Sequence, residues 1–335
     1  LPPIMISTYL SIWAVFPRDI YTSVMIGNDY LLLFLTGCIF LLYYKSISNN
    51  IERTTNFIQF NYIFICLLTM LAVLTKQHGY ILLIFPIILF FYNIAKYPDH
   101  AWNIFFPSLL LLFAFSMCEE LWKYTQTGKF LVSNQDFFNY AINQYPGDLS
   151  KVEFFSFPFY ELMKNPFISS ETAASFPAEL FARLFFDYEY RFIAPEVPYA
   201  IMLGRFSFIL GFVWVLYFVY QFIAGIQSNN IYLKNTSIIK FILFPLIIAT
   251  LFFSVPLLQT IRYPYFSSMK TMFAMPGILI MFLLSALCAP KNDSRGALIL
   301  YFVNIFYGIT HNIIIIHNIS TSIYQLHGPL WPYPS

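Results

Sequence analysis

Long apolar runs separated by short polar stretches set the rhythm of this 335-residue chain. Nine such runs are read, near residues 4–16, 30–44, 57–75, 79–95, 102–118, 203–225, 238–258, 270–288 and 296–316. Several approach the ~20 residues with which an α-helix crosses a bilayer. In hydrocarbon every backbone N–H and C=O must find a partner within protein, which a helix provides for itself. The ~10-residue alternating segments of a membrane barrel are not seen. The pattern predicts an all-α, polytopic transmembrane protein of about nine helices, five within residues 1–118 and four within 203–335. The first run is short, and the chain opens on Leu1-Pro2-Pro3 without Met or a signal-peptide pattern, so the expectation is that sequence upstream is missing. No internal repeat is evident.

The rhythm breaks once. Residues 119–202 are read as an external loop rich in Pro and aromatics, carrying eleven of the sixteen acids, from Glu119 to Glu196. A loop of this length is uncommon without structure or function of its own. Within it Leu180, Phe181, Leu184, Phe185, Tyr188 and Phe192 recur at helical spacing, with Arg183, Asp187 and Arg191 mostly on the other side. Two readings stand side by side: an amphipathic helix on the membrane surface, or a helix packed on the loop's own core.

Composition strengthens the membrane reading: 59% of residues are hydrophobic and 10% charged, against roughly a quarter charged in soluble domains. A net charge of +2 gives no concentrated basic face for nucleic acid. Four cysteines stand singly in apolar runs with no CxxC or Cys/His spacing, and read as small apolar residues rather than metal ligands. The short loops orient the chain. Lys45, Arg53, Lys96, Lys234, Lys240, Lys291 and Arg295 fall on one side, against Arg18, Lys76, Arg262 and Lys270 on the other. The first set is expected to be cytoplasmic.

Candidate chemistry gathers at the ends expected outside. Arg18-Asp19 and Asn28-Asp29 join the first two runs. Asp29 precedes Tyr30-Leu31-Leu32-Leu33, so it either caps a helix and meets its dipole or faces a substrate or metal. Thr75-Lys76-Gln77-His78-Gly79 forms a tight turn whose Lys76 and His78 suit a phosphate, or whose Lys76 simply snorkels. Arg262, followed by Lys270, places positive charge against the orientation rule, which marks a functional site, and Arg suits phosphate. His311 and His317, near the C-terminus, are six apart and do not share a helical face as a two-His metal motif would. No Walker loop, GxSxG, HExxH or GxGxxG is present, so nucleotide hydrolysis, serine hydrolysis and zinc proteolysis have no support. Asn318-Ile319-Ser320 matches a glycosylation acceptor, usable only in a eukaryotic secretory setting.

The order of these motifs resembles the integral-membrane glycosyltransferases of the GT-C type, in particular the bacterial branch related to protein mannosyltransferases and lipid A aminoarabinose transferase. Three stretches carry the resemblance: Pro17 through Asn28-Asp29, Leu74 through Gly79, and Ser175-Phe176-Pro177 through Tyr190. The helix from Lys270 with Pro276-Gly277 is similar to a later family helix with a basic start. The resemblance implies transfer of a sugar from a polyprenyl-phosphate carrier to a protein or glycolipid acceptor outside the cytoplasm, in a bacterial inner membrane. It implies Lys76, His78, Arg262 and Lys270 as donor-phosphate ligands, and Asp29 or Asp19 as the acid that serves the acceptor. A divalent metal is compatible with it. The family's first external loop, with its main catalytic Asp, would lie upstream of Leu1. Two other classes compete. A non-catalytic membrane subunit would dock a partner through its acidic loop. A transporter would use proline-interrupted helices (Pro86, Pro107, Pro245, Pro276), but charges inside the runs are nearly absent.

Overall fold

The structure, a computed structural model, describes residues 3–14, 28–47, 55–130, 151–169, 172, 174–186, 199–227, 242–262, 273–288 and 294–325. All regular structure among them is helical. The helices are α1 (Pro3–Ala14), α2 (Asn28–Ile47), α3 (Thr55–Thr75) and α4 (Ile84–Lys96), then α5 (Phe106–Thr127). They continue with α6 (Lys151–Phe155), α7 (Phe159–Lys164), α8 (Phe176–Phe185) and α9 (Ala200–Gln227). The last three are α10 (Phe244–Arg262), α11 (Met275–Cys288) and α12 (Ser294–Gln325). A 3₁₀ helix (Gln77–Leu83) leads directly into α4, and a short 3₁₀ turn and π-helical turn (Pro98–Phe105) lead into α5.

Five of these stretches are long and apolar enough to cross a membrane: Asp29–Ile47, Asn56–Thr75, Gln77–Lys96, Pro98–Thr127 and Ala200–Ala224. Their outward faces show why. On α3 the residues Phe60, Phe64, Leu67, Leu71 and Leu74 follow one another at helical spacing and are all exposed, while Tyr62, Ile65, Thr69, Ala72 and Val73 are buried. A soluble helix carries polar residues on the face turned away from its core. Here both faces are apolar. Several hydroxyls of the apolar helices turn back onto their own backbone: Thr36 to Leu32, Ser116 to Leu112, Ser207 to Leu203 and Thr250 to Leu246. In apolar surroundings that donation satisfies a group that water would otherwise serve.

The helices gather into two compact units, and the chain passes from one to the other after Val24, Gly147, Tyr220 and Ala289. The internal unit (25–147 and 221–289) has a core of Ile39, Ile65, Leu82, Phe85, Leu89, Phe105, Phe252 and Leu284, drawn from α2–α4, the 3₁₀ helix and the π-helical turn, α10 and α11. α10 and α11 approach closely because Gly277 lacks a side chain: a Cβ there would lie 2.7 Å from the Ala249 carbonyl oxygen.

The terminal unit (1–24, 148–220 and 290–335) joins the two ends of the chain. The Thr8 hydroxyl of α1 donates to the Ala297 carbonyl of α12 (2.8 Å), and the Asn304 amide donates to Ser11 (3.2 Å). The two ends share a unit because α1 finds its partner in α12, at the far end of the sequence.

Two findings concern residues 119–202. The helix that was expected to end near 118 continues to Thr127, where Gly128 closes it at φ 69°. Lys123 pairs with Glu119 (2.6 Å) and Glu120 (3.1 Å), and such pairs one turn apart support helical extension. α8 forms where helical spacing placed it, with Ser175 accepting from the Ala178 N–H at its start. Its charged side, however, is inside: Glu179 and Arg183 are 0% and 4% exposed and pair with each other. On its other side Phe181 packs against Phe157, Phe208 and Phe212. Asp187, Tyr188, Arg191 and Phe192 lie outside the described residues.

Candidate functional site

The internal unit brings together the acid and the cation that were marked from separate segments. α2 starts at Asn28, so Asp29 lies in its first turn, where a carboxylate is favoured by the helix dipole. α3 runs from Thr55 to Thr75 and packs along α2. Lys76 then adopts an extended backbone (φ −164°, ψ 145°), which ends α3 and starts the 3₁₀ helix. The turn is held tightly. The Lys76 N–H donates to the Ala72 carbonyl (3.1 Å) and the Gly79 N–H to the Lys76 carbonyl (2.8 Å). A Cβ on Gly79 would lie 2.2 Å from the Ala72 carbonyl oxygen, so only glycine allows this approach.

The Lys76 ammonium pairs with Asp29 Oδ1. Both side chains keep about a fifth of their surface exposed (23% and 21%), so the pair can be reached from outside the protein. Phe273, two residues before α11, offers its ring to both Lys76 and His78. Lys76 Nζ stands 4.8 Å from the ring centroid, and the His78 ring centroid 4.7 Å from it. The first is a cation–π contact, which restrains an ammonium without neutralising it. His78 Nδ1 is buried and makes no hydrogen bond.

A second polar group lies on the same 3₁₀ helix and α5. The Tyr80 hydroxyl donates to the Ser116 carbonyl (2.8 Å), and one turn further on Lys123 sits between Glu119 and the buried Glu120. Sequence reasoning counted these two acids as the start of a loop. Their spacing from Lys123, by three and four residues, was the available signal that they stack on a helix. Phe273 was missed altogether, because one ring among 40 phenylalanines carries no mark of its own.

Of the remaining candidates, the structure describes His311 in full and Arg262 by its backbone alone. Arg262 is the last residue of α10, and the position of its side chain is not described. Asp19 and Lys270 lie outside the described residues. His311 lies within the long α12 rather than at a helix end. It is fully buried, with Nδ1 3.4 Å from the Tyr307 hydroxyl, which in turn bonds Ser207 (2.7 Å). Among the described residues no three His, Cys, Asp or Glu side chains gather as metal ligands would. The pair of Asp29 and Lys76 offers one carboxylate already matched by a cation, which is no donor set for a divalent ion.

Chemically, the arrangement places an ammonium, a carboxylate and an imidazole around one aromatic ring, with the ammonium and carboxylate open to approach. An ammonium is a compact donor with three N–H bonds, suited to an anionic oxygen ligand. No known family, curated protein or solved structure matches the chain. The class of protein therefore rests on the all-helical fold, its five candidate membrane-spanning helices and this site.

Proposed function

We propose that this chain is an integral-membrane glycosyltransferase that moves a sugar from a polyprenyl-phosphate carrier to a hydroxyl of a protein or glycolipid acceptor. The observation that carries the reading is the meeting of Asp29 and Lys76, from two separate helices, beside His78 and Phe273. In this reading Lys76 and His78, joined by Arg262 and Lys270, hold the donor phosphate. Preplaced cations stabilise the charge that grows on a leaving phosphate, most strongly where water is scarce. Asp29 serves the acceptor, with Asp19 as the other candidate acid. All nine apolar segments cross the membrane, in a bacterial inner membrane, with the site on the non-cytoplasmic side. The resemblance to GT-C enzymes in motif order supports the same assignment.

The test is binding of a polyprenyl-phosphate sugar to the purified protein in lipid nanodiscs. Lys76→Ala and Arg262→Ala are each expected to weaken binding about tenfold or more, since hydrogen bonds to charged groups contribute roughly 1.5–3 kcal/mol. Unchanged affinity in both variants would remove the phosphate site. A stable complex with another membrane protein and no sugar transfer would instead favour a non-catalytic subunit.

A further inference from the structure

Asp29 and Lys76 are given different partners by the reading above: an acceptor hydroxyl for one, a phosphate for the other. In the structure they hold each other. While Asp29 Oδ1 is occupied by the Lys76 ammonium, that oxygen is not free to take a proton from an acceptor hydroxyl. A phosphate approaching Lys76 must likewise share that cation with a competing anion. Two anions cannot both keep full contact with one ammonium without repelling each other. The geometry gives this conflict a resolution. Lys76 is also held by the face of Phe273, 4.8 Å from the ring centroid, and its backbone is fixed by the Ala72 and Gly79 contacts. Asp29 lies in the first turn of α2, on a different element. The cation is thus anchored independently of the acid.

We propose that Lys76 exchanges Asp29 for the donor phosphate, so that donor binding releases Asp29 as the base and donor binds before acceptor. This rests on the lipid-phosphate reading of the site. In the transfer that follows, the acceptor oxygen forms a bond to the anomeric carbon as the bond from that carbon to the phosphate oxygen breaks. The hydroxyl proton passes to Asp29. The electron pair of the broken bond leaves with the polyprenyl phosphate, whose added negative charge faces Lys76. Phe273 is a positioning residue: it keeps the ammonium in place while its anionic partner changes.

The exchange predicts opposite signs for the two members of the pair. Polyprenyl phosphate binding is measured for the whole protein in nanodiscs, with size-exclusion elution as the check of folding. Asp29→Asn removes the competitor and is expected to bind the lipid about two- to fivefold more tightly, the range set by partly exposed ion pairs. Asp29→Ala is expected to shift the same way, while Lys76→Ala binds at least tenfold more weakly. Both Asp29 variants are expected to lose transfer. Phe273→Leu is expected to weaken lipid binding and Phe273→Trp to restore it, since Trp presents the better face to a cation. Unchanged or weaker binding in both Asp29 variants, with normal binding by the unmodified protein, would overturn the exchange and leave the phosphate site standing. Failure of the unmodified protein to bind would overturn both. Inorganic phosphate is expected to bind more weakly than the lipid, with the same sign on Asp29→Asn. Equal affinity for the two would overturn the lipid-linked reading and the exchange built on it.

Discussion

Two acid–base pairs in this protein show how differently the same charges can be used. Glu179 and Arg183 stand one turn apart on α8, in the terminal unit, and are closed off from solvent. Asp29 and Lys76 stand 47 residues apart, in the internal unit, and are about a fifth exposed. The first pair is local and sealed: each charge is removed from water, and each depends on the other to offset that cost. The second is long-range and open. Its members are brought together by the packing of α2 against α3, and neither needs the other to remain solvated. A sealed pair holds structure; an open pair can change partners.

The largest expected effect tests the sealed pair. Arg183→Ala leaves Glu179 buried without its cation, and loss of one partner from a buried pair costs about 3–5 kcal/mol. Denaturant unfolding in detergent measures it, and the double variant Glu179→Gln with Arg183→Met should recover most of the loss. Next is Gly79→Ala, which forces a methyl group against the Ala72 carbonyl. Overpacking of this kind costs about 1–3 kcal/mol, and the same unfolding experiment should also report weaker lipid-phosphate binding as the Lys76 turn shifts. Tyr307→Phe removes the hydroxyl that bonds Ser207 and is expected to cost about 1 kcal/mol, read as a lower melting temperature. The smallest stability effect belongs to the open pair: Asp29→Asn should cost under ~1 kcal/mol, as partly exposed ion pairs do. If Asp29→Asn destabilised the protein as much as Arg183→Ala, the distinction between a structural and an exchangeable pair would collapse.

Much of the helical fold was legible because apolar runs and helices obey the same length scale. The run at 57–75 lies within Thr55–Thr75, and the run at 30–44 within Asn28–Ile47. Local chemistry was legible too: Asp29 was read at a helix start, and it lies in the first turn of α2. What could not be read was partnership at a distance. Nothing in the sequence near Thr8 points to Ala297, because a helix in an apolar setting packs by shape rather than by a directional code. The same holds at the candidate site. Asp29 and Lys76 were each marked from their own surroundings, as a helix-start acid and a turn cation, but their pairing depends on how α2 lies along α3. The burial of Arg183 could not be read, because spacing tells which residues share a face, not what covers it. Here Glu179, one turn before it, allowed that face to be covered.

The 3₁₀ helix at Gln77–Leu83 has a consequence of length. The candidate span Gln77–Lys96 has 20 residues, of which seven are 3₁₀. As pure α-helix it would reach ~30 Å at ~1.5 Å per residue, about the thickness of the hydrocarbon core. The seven tighter-wound residues rise ~2.0 Å each instead, which lengthens the span by roughly 3.5 Å. Against a hydrocarbon core of that thickness, the segment is longer than the minimum needed to span by that same ~3.5 Å.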